Sequence, residues 1–215
     1  MKRTAALRRT RVKKDPSARP VGRPKLDAPS ETYVQQRGSI LHKAKQLLDE
    51  AGFGNLSLAR IAQALGVSKA SMYYYFGSNH HLLYALYEDY LDRQFEKMSQ
   101  VMSVPDPRER VVQMLRCQIQ GILGNLQVVR LRLSHFPFID DPIVERCLRK
   151  ELRHTTALTK VVENAIAAGH LPGINSFLLM EILFGSPLLV YRTYSPEEFT
   201  PAFVESQIVS LFRLA

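Results

Sequence analysis

An all-α fold of about nine helices is predicted by three observations on this 215-residue sequence. Apolar residues recur at three- and four-residue spacing through most of the chain, which is the period of a helix with one buried face. Serine or aspartate precedes several of these segments and glycine follows them, as at helix starts and ends. No stretch shows the apolar–polar alternation of a strand, and neither a repeat nor a phosphate-binding glycine motif occurs.

The most informative stretch is 57–76, SLARIAQALGVSKASMYYYF, which predicts two short helices joined by a tight turn. Ser57 is a suitable N-cap for the first helix. Gly66 ends that helix, because glycine enters the left-handed conformation at little cost. Ser68 can cap the second helix, 69–76, which is apolar on one side and carries hydroxyls and one cation on the other. That combination is typical of a helix in a DNA major groove.

About a quarter of the chain, residues 37–91, resembles the DNA-binding domain of TetR-family transcriptional regulators. An ordinary helical hairpin would explain the apolar stripes, but not three consecutive tyrosines beside a lysine on a short capped helix. The resemblance implies a three-helix DNA-binding domain followed by a larger helical ligand-binding and dimerisation domain. It is carried by IL at 40–41, Ala44, DEAGF at 49–53, Ser57, IAQALGVS at 61–68, MYYYF at 72–76 and Leu82-Leu83.

DNA contacts are assigned to the helix-turn-helix and its surroundings. The hydroxyls of Ser57 and Tyr73 are expected on phosphates, and Lys69 on guanine O6 and N7 or on a phosphate. Small and apolar groups that face the groove floor can meet a thymine methyl, and Tyr75 is expected against the DNA backbone. The predicted DNA-binding set is Ser57, Ser68, Lys69, Ala70, Ser71, Tyr73, Tyr74, Tyr75, Asn79 and Arg23, of which Ala70, Ser71 and Tyr74 face the groove floor.

Position 79 departs from the pattern of the family, which normally has a lysine there that contacts a phosphate. The asparagine can still donate a hydrogen bond, and so can the amides at the start of the fourth helix.

Neither a metal nor a cofactor is predicted. His80 and His81 are adjacent and point apart on a helix, and Cys117 and Cys147 have no ligand partner at metal-binding spacing. We expect both cysteines to be reduced thiols.

The net charge of +9 lies almost entirely in the first 28 residues, which hold ten Lys or Arg and two Asp. Residues 1–32 have almost no large apolar side chains and are predicted to be a disordered basic arm. Within the arm, Gly22-Arg23-Pro24 resembles an AT-hook, whose extended backbone lays an arginine in a narrow A·T minor groove. Arg23 is then the residue expected to enter the groove. The alternative is a basic tail that only increases solubility.

The Val104–Pro107 segment separates the predicted DNA-binding domain, 33–100, from a C-terminal domain, 105–215. In that second domain the resemblance implies a pocket for a small-molecule effector between the fifth and eighth helices. Leu148 and Leu152 are counted in the apolar stripe of the seventh helix. The C-terminal helices are expected over 106–124, 127–134, 143–169, 175–194 and 197–214, and the effector candidates are Arg116, Gln120, His135, Phe136, Phe138 and Tyr191.

The stretch 175–194 is apolar nearly all round, and a helix of that kind must bury every side. Glu181 and a break expected at Ser186-Pro187 argue against a membrane span. Because dimers of the family pair their last two long helices, we expect a second subunit here, with a purely intramolecular core as the alternative. The predicted dimer interface is Phe177, Ile182, Leu183, Leu189, Phe203, Ile208 and Leu211.

Several classes of protein are disfavoured. No Ser-His-Asp or Cys-His constellation can be placed, so an enzyme is not expected. No eighteen-residue apolar run and no signal peptide occur, which indicates a cytoplasmic protein without a membrane partner.

The resemblance implies a homodimeric regulator of double-stranded DNA, a repressor that a small molecule releases from a palindromic operator. The alternative is a ligand-independent architectural or recruiting protein that binds DNA through its basic arm.

Overall fold

The computed structural model describes residues 29–135, 142–173, 175–193 and 198–210. These residues form nine α-helices and one 3-10 turn and include no strand, so the predicted all-α fold is confirmed. The predicted arm lies outside the described residues as far as residue 28, and Arg23 with it. The helices are α1 Glu31–Ala51, α2 Leu58–Leu65, α3 Lys69–Phe76, α4 Asn79–Met102, α5 Pro107–Leu123, α6 Leu126–His135, α7 Pro142–Ala167, α8 Ser176–Thr193 and α9 Pro201–Ser210, and the 3-10 turn is Phe53–Asn55.

A serine residue caps the N-terminus of each of the first four helices, α1 to α4. Ser57, Ser68 and Ser78 each accept a hydrogen bond from the backbone N–H three residues further on, at 3.1 to 3.3 Å. Ser30 does the same for α1, which therefore begins at Glu31, two residues before the predicted start of the DNA-binding domain at residue 33. Gly66 adopts φ 65° and ψ 26° and ends α2 in the left-handed region. These caps set the short turn that separates α2 from α3.

Two clusters of buried side chains hold the helices together. The first joins α1, α2, α3 and the first half of α4, and it also contains residues from α6 and the start of α7. The second joins the end of α4 to α5, α7, α8 and α9. Because α4 contributes to both, it connects the helix-turn-helix mechanically to the C-terminal helices. The residues of α6 and α7 in the first cluster are Val128, Val129, Ile143, Val144 and Cys147.

The buried face of α7 differs from the expected one. Leu148 and Leu152 are exposed, Leu152 to 69%, although both were expected in the apolar stripe. His154 lies on the buried face instead, four residues before Leu158 and seven after Cys147. The helix carries apolar residues on two faces, and helical period alone does not tell which of two apolar faces meets the core.

Helix α8 continues through Ser186 and Pro187, where a break was expected. Proline removes one backbone N–H and disfavours the helical conformation of the residue before it. Here α8 packs against both α5 and α7, and tertiary packing of this kind outweighs local preference. In the part of the chain that the structure describes, no helix is both long and apolar enough to cross a bilayer.

Candidate functional site

Helix α3 presents one exposed face and buries the other. Met72 and Phe76 are buried four residues apart in the first cluster. Tyr74 is 73% exposed, and the ammonium of Lys69 lies 5.9 Å from the ring centroid of Tyr73. Five of the predicted DNA contacts are therefore brought together on one surface, which we call the exposed face of α3. Its members are Lys69, Ala70, Ser71, Tyr73 and Tyr74.

Tyr75 lies off this face, in the contact between α3 and α1. Its ring centroid is 5.0 Å from that of Tyr33, and its hydroxyl donates a hydrogen bond to Gln36 Oε1. Tyr74 packs edge-on against both tyrosine rings, with centroids 5.9 Å and 5.2 Å away. The tyrosine cluster of Tyr33, Tyr74 and Tyr75 thus orients Tyr74 while leaving most of that side chain exposed. Tyr75 was expected against the DNA backbone, and in the described structure its ring and hydroxyl contact α1.

The predicted phosphate ligands gather where α2 and α4 begin. Asn79 Oδ1 accepts a hydrogen bond of 2.8 Å from the backbone N–H of Leu58, the residue after Ser57. The Asn79 amide nitrogen keeps two N–H donors, and the Ser57 hydroxyl keeps its proton because its oxygen is the acceptor in the cap. Both side chains therefore keep hydrogen-bond donors that phosphate oxygens can accept.

A cavity of about 200 Å³ lies between α4, α5, α6, α7 and α8. Seven of its thirteen lining residues are apolar or aromatic, and six are polar or charged. The lining residues are Tyr87, Tyr90 and Leu91 of α4, Gln118 and Ile122 of α5, Val129 and Arg132 of α6, Glu151, His154, Thr155 and Leu158 of α7, and Met180 and Glu181 of α8.

Two of those polar side chains are almost completely buried. Gln118 is 4% exposed and His154 is 7% exposed, and His154 Nε2 lies 3.2 Å from Gln118 Oε1. Burial lowers the pKa of His154 to about 4, so its imidazole is neutral at pH 7. Gln118 Nε2 and His154 Nδ1 have no hydrogen-bond partner among the described atoms. An unpaired buried polar atom costs free energy, and a ligand can remove that cost.

Known proteins resemble this chain in the helix-turn-helix and, as folds, over most of its length. Residues 40–86 match the family model described as bacterial regulatory proteins of the tetR family, and this segment contains the whole helix-turn-helix. A solved transcriptional regulator of the TetR/AcrR family from Thermobifida fusca is 27% identical, with a TM-score of 0.68 over 83% of this chain and 96% of its own. Residues 40–86 therefore resemble the DNA-binding segment of tetR-family regulators. The predicted resemblance is confirmed, and the comparisons support a DNA-binding regulator.

Two further relatives show how far the likeness extends. The uncharacterized HTH-type transcriptional regulator YuxN of Bacillus subtilis is 26% identical over 114 residues, which are 52% of this chain. The chain spans only 38% of the length of YuxN. AibR, solved with isovaleryl coenzyme A and operator DNA, is 20% identical with a TM-score of 0.70 over 82% of this chain and 97% of its own. At that identity the likeness to AibR shows the shared fold alone.

Of the predicted effector residues, Arg116 and Gln120 do not line the cavity. Arg116 and Gln120 lie on another side of α5, where both contact Glu205 of α9, at 3.4 and 3.0 Å. They border an open groove of about 490 Å³ beside the end of α4. Phe136 and Phe138 lie outside the described residues, as do the side chains of His135 and Tyr191.

Gln118 and His154 were missed as candidates for the effector site. A recognisable signal was nevertheless present, because each is a polar residue at a position where its helix has an apolar stripe. Gln118 lies three residues after Leu115 and four before Ile122, both of which are buried. A polar residue in such a position must find a partner inside the protein, and this identifies it as a candidate for the lining of a site.

Three residues of the predicted dimer interface, Phe177, Ile182 and Leu189, are exposed on α8. Ile182 and Leu189 are 62% and 63% exposed, and large apolar side chains exposed together on one helix face are a candidate interaction surface. Ile208 differs, since it is buried in the second cluster with α5 and so belongs to the core of its own chain. Leu211 and the side chain of Leu183 lie outside the described residues. The α8 face consists of Phe177, Leu178, Ile182 and Leu189, and Phe203 of α9 is exposed as well.

Proposed function

We propose that the protein is a sequence-specific transcriptional repressor that binds a palindromic operator as a homodimer and is released by a small-molecule effector. The observation that carries the proposal is the exposed face of α3, a capped helix in a TetR-type domain with a lysine and two tyrosines directed outward. A surface of hydroxyl, ammonium and aromatic groups on one short helix suits the edges of bases in a major groove.

The roles of individual residues follow from their positions. Ser57 and Asn79 come from different helices to the same end of the site and are proposed to hold phosphates. Lys69 and Tyr74 are proposed to contact base edges. One helix-turn-helix reads few base pairs, so two copies are needed, with half-sites about 34 to 36 Å apart or a multiple of that distance. Residues 33–100 then form the DNA-binding domain, and 105–215 the effector and dimerisation domain.

Helix α4 is the element proposed to transmit the effector signal. Tyr87, Tyr90 and Leu91 of α4 line the cavity, while Asn79 at its first turn is bonded to α2. A ligand that favours a different position of α4 therefore also moves the helix-turn-helix. It releases DNA only if it binds the released conformation more tightly than the DNA-bound one. The protein is proposed to act on the chromosome in the cytoplasm, without catalytic activity.

The experiment that tests the proposal is genome-wide capture of DNA fragments by the purified full-length protein. We expect one dominant palindrome, with two half-sites related by the dimer axis. The matched control is the chain from residue 29 onward, which lacks the basic arm but keeps the helix-turn-helix. Recovery of the same palindrome with this control supports recognition by α3. Broad capture that follows A·T content, and disappears without the arm, would replace the proposal with the architectural alternative.

That alternative is favoured by one observation, the concentration of ten basic residues in the first 28. If the arm binds phosphates, its removal should flatten the dependence of log affinity on log salt concentration. The slope is expected to change by about 0.9 for each phosphate that the arm neutralises. The measurement is a salt titration of operator binding by fluorescence anisotropy, for the full chain and for the chain from residue 29. An unchanged slope would show that the arm takes no part in binding.

A further inference from the structure

We propose that Tyr33, in the first turn of α1, is a positioning residue for DNA recognition, which holds the ring of Tyr74 in place before DNA binds. The inference rests on the proposed function, because it concerns a side chain that is proposed to contact base edges. Tyr33 belongs to neither helix of the helix-turn-helix and is not among the predicted DNA contacts. It would therefore contribute to the choice of operator without touching the DNA.

Tyr33 lies where its ring restrains that of Tyr74. It is the third residue of α1, is half-buried, and its backbone N–H donates to the cap Ser30 at 3.2 Å. The ring centroids of Tyr33 and Tyr74 are 5.9 Å apart with their planes at 81°, an edge-to-face arrangement that aromatic pairs prefer. Tyr75 packs against the same ring at 5.2 Å and 80°. The ring of Tyr74 is therefore in contact with one ring from α1 and one from its own helix.

The position of α3 itself is held by contacts other than those of Tyr33. Met72 and Phe76 are 0% and 4% exposed, and they anchor the helix in the first cluster. Tyr75 loses one ring contact if Tyr33 is removed, but its hydroxyl keeps the hydrogen bond to Gln36 of α1. Removal of the Tyr33 ring should therefore release a side chain and leave the backbone of α3 in place.

Tyr74 needs this restraint because it is 73% exposed. An exposed tyrosine without neighbouring rings moves between rotamers, and binding to a base edge then has to immobilise it. Immobilising a side chain lowers affinity, and a ring that is already held in position avoids that loss. Without the Tyr33 ring, we expect the affinity for the operator to fall by roughly two- to tenfold.

The first test compares operator and scrambled duplexes by fluorescence anisotropy for three variants of the full-length protein. Tyr33→Ala should weaken binding to the operator only, because the proposed phosphate ligands Ser57 and Asn79 are unchanged. Tyr33→Phe keeps the ring and should bind both duplexes as the unmodified protein does. The matched control is Val34→Ala, which truncates the neighbouring, 58% exposed side chain and should also bind normally. No loss in Tyr33→Ala, an equal loss on both duplexes, or the same loss in Tyr33→Phe would overturn the inference.

A double-mutant cycle shows whether Tyr33 acts through Tyr74. We expect Tyr33→Ala to have no further effect on operator affinity in a Tyr74→Ala background, since the side chain that it holds is then absent. A loss of the same size in both backgrounds would mean that Tyr33 contacts the DNA itself, which would overturn the inference alone. If Tyr74→Ala left operator affinity unchanged, the role proposed for Tyr74 at base edges would be wrong, and with it the inference that depends on that role.

A measurement on the free protein needs no operator. A fluorotyrosine that replaces Tyr74 alone reports the ring currents of its neighbours through its fluorine resonance. We expect Tyr33→Ala to move this resonance towards that of an exposed fluorotyrosine, and Tyr33→Phe to leave it in place. An unchanged resonance in Tyr33→Ala would overturn the positioning role, whatever the affinities for DNA.

Discussion

Replacing Leu189 with glutamate is expected to convert the protein from a dimer to a monomer and to abolish tight operator binding. Leu189 is the last residue of the α8 face and is 63% exposed in a single chain, so the change should not disturb the fold of the protomer. In a two-fold interface the residue occurs twice, and each buried unpaired carboxylate costs several kcal/mol. The dimer dissociation constant should rise by about 10³-fold or more.

The weaker DNA affinity follows from the loss of the dimer. A monomer presents one recognition helix, and the second no longer binds at the high effective concentration that the dimer provides. Linkage of this kind is typically worth about 10² to 10⁴ in affinity. Sedimentation equilibrium should show the mass fall to that of the 24.5-kDa chain, and fluorescence anisotropy should show the weaker binding.

The control for this prediction is Leu152→Glu. It makes the same change at a leucine of similar exposure, 69%, on α7 instead of α8. We expect it to remain dimeric and to bind the operator as the unmodified protein does. A dimeric Leu189→Glu protein would remove the α8 face from the interface. If both variants were monomeric, the interface would extend to α7.

Replacing Tyr74 with alanine is expected to weaken binding to the operator far more than binding to unrelated DNA. Tyr74 is the most exposed aromatic residue of α3, and its orientation is set by the rings of Tyr33 and Tyr75. Removing a side chain that reads base edges typically costs about 1 to 3 kcal/mol, which is roughly five- to 150-fold in specific affinity. Competition anisotropy with operator and scrambled duplexes measures both affinities.

Tyr74→Phe separates the ring of this residue from its hydroxyl. The variant keeps the aromatic packing against α1 and removes only the O–H group. Retention of specificity by Tyr74→Phe would assign the DNA contact to the ring, for example against a thymine methyl, and its disappearance would assign that contact to the hydroxyl. An equal reduction of specific and non-specific affinity in Tyr74→Ala would place this side chain on the phosphate backbone.

Local signals made the DNA-binding helices predictable from the sequence. Ser57, Gly66 and Ser68 mark their ends through hydrogen bonds and backbone conformations that involve neighbouring residues only. The apolar residues of α2 lie on one side of that helix, so this is the side that is buried. The exposed face of α3 then follows, because a helix of eight residues with two buried apolar side chains has little freedom in its orientation.

The cavity could not be predicted from local sequence patterns, because it forms through tertiary contacts between helices. Arg116 and Gln118 are two residues apart, and only packing against α7 and α9 decides which of them faces inward. Helix α7 likewise has two apolar faces, so the exposure of Leu152 and the burial of His154 were decided by its neighbours. The cavity is created by the distances between α5, α7 and α8. These distances depend on tertiary packing, which the helical period of the sequence does not determine.

The buried contact of α6 and α7 with the DNA-binding helices has a consequence for the exchange of parts between regulators. Val128 and Val144 lie in the same core as Leu48 and Leu86. A hybrid joined at the Val104–Pro107 segment would pair the DNA-binding helices of one protein with the α6 and α7 of another. Its core would then contain mismatched volumes, which typically cost about 1 to 3 kcal/mol where a side chain is too large. To transfer operator specificity to another regulator, the DNA-binding helices therefore have to be moved together with the matching side chains of α6 and of the first two turns of α7.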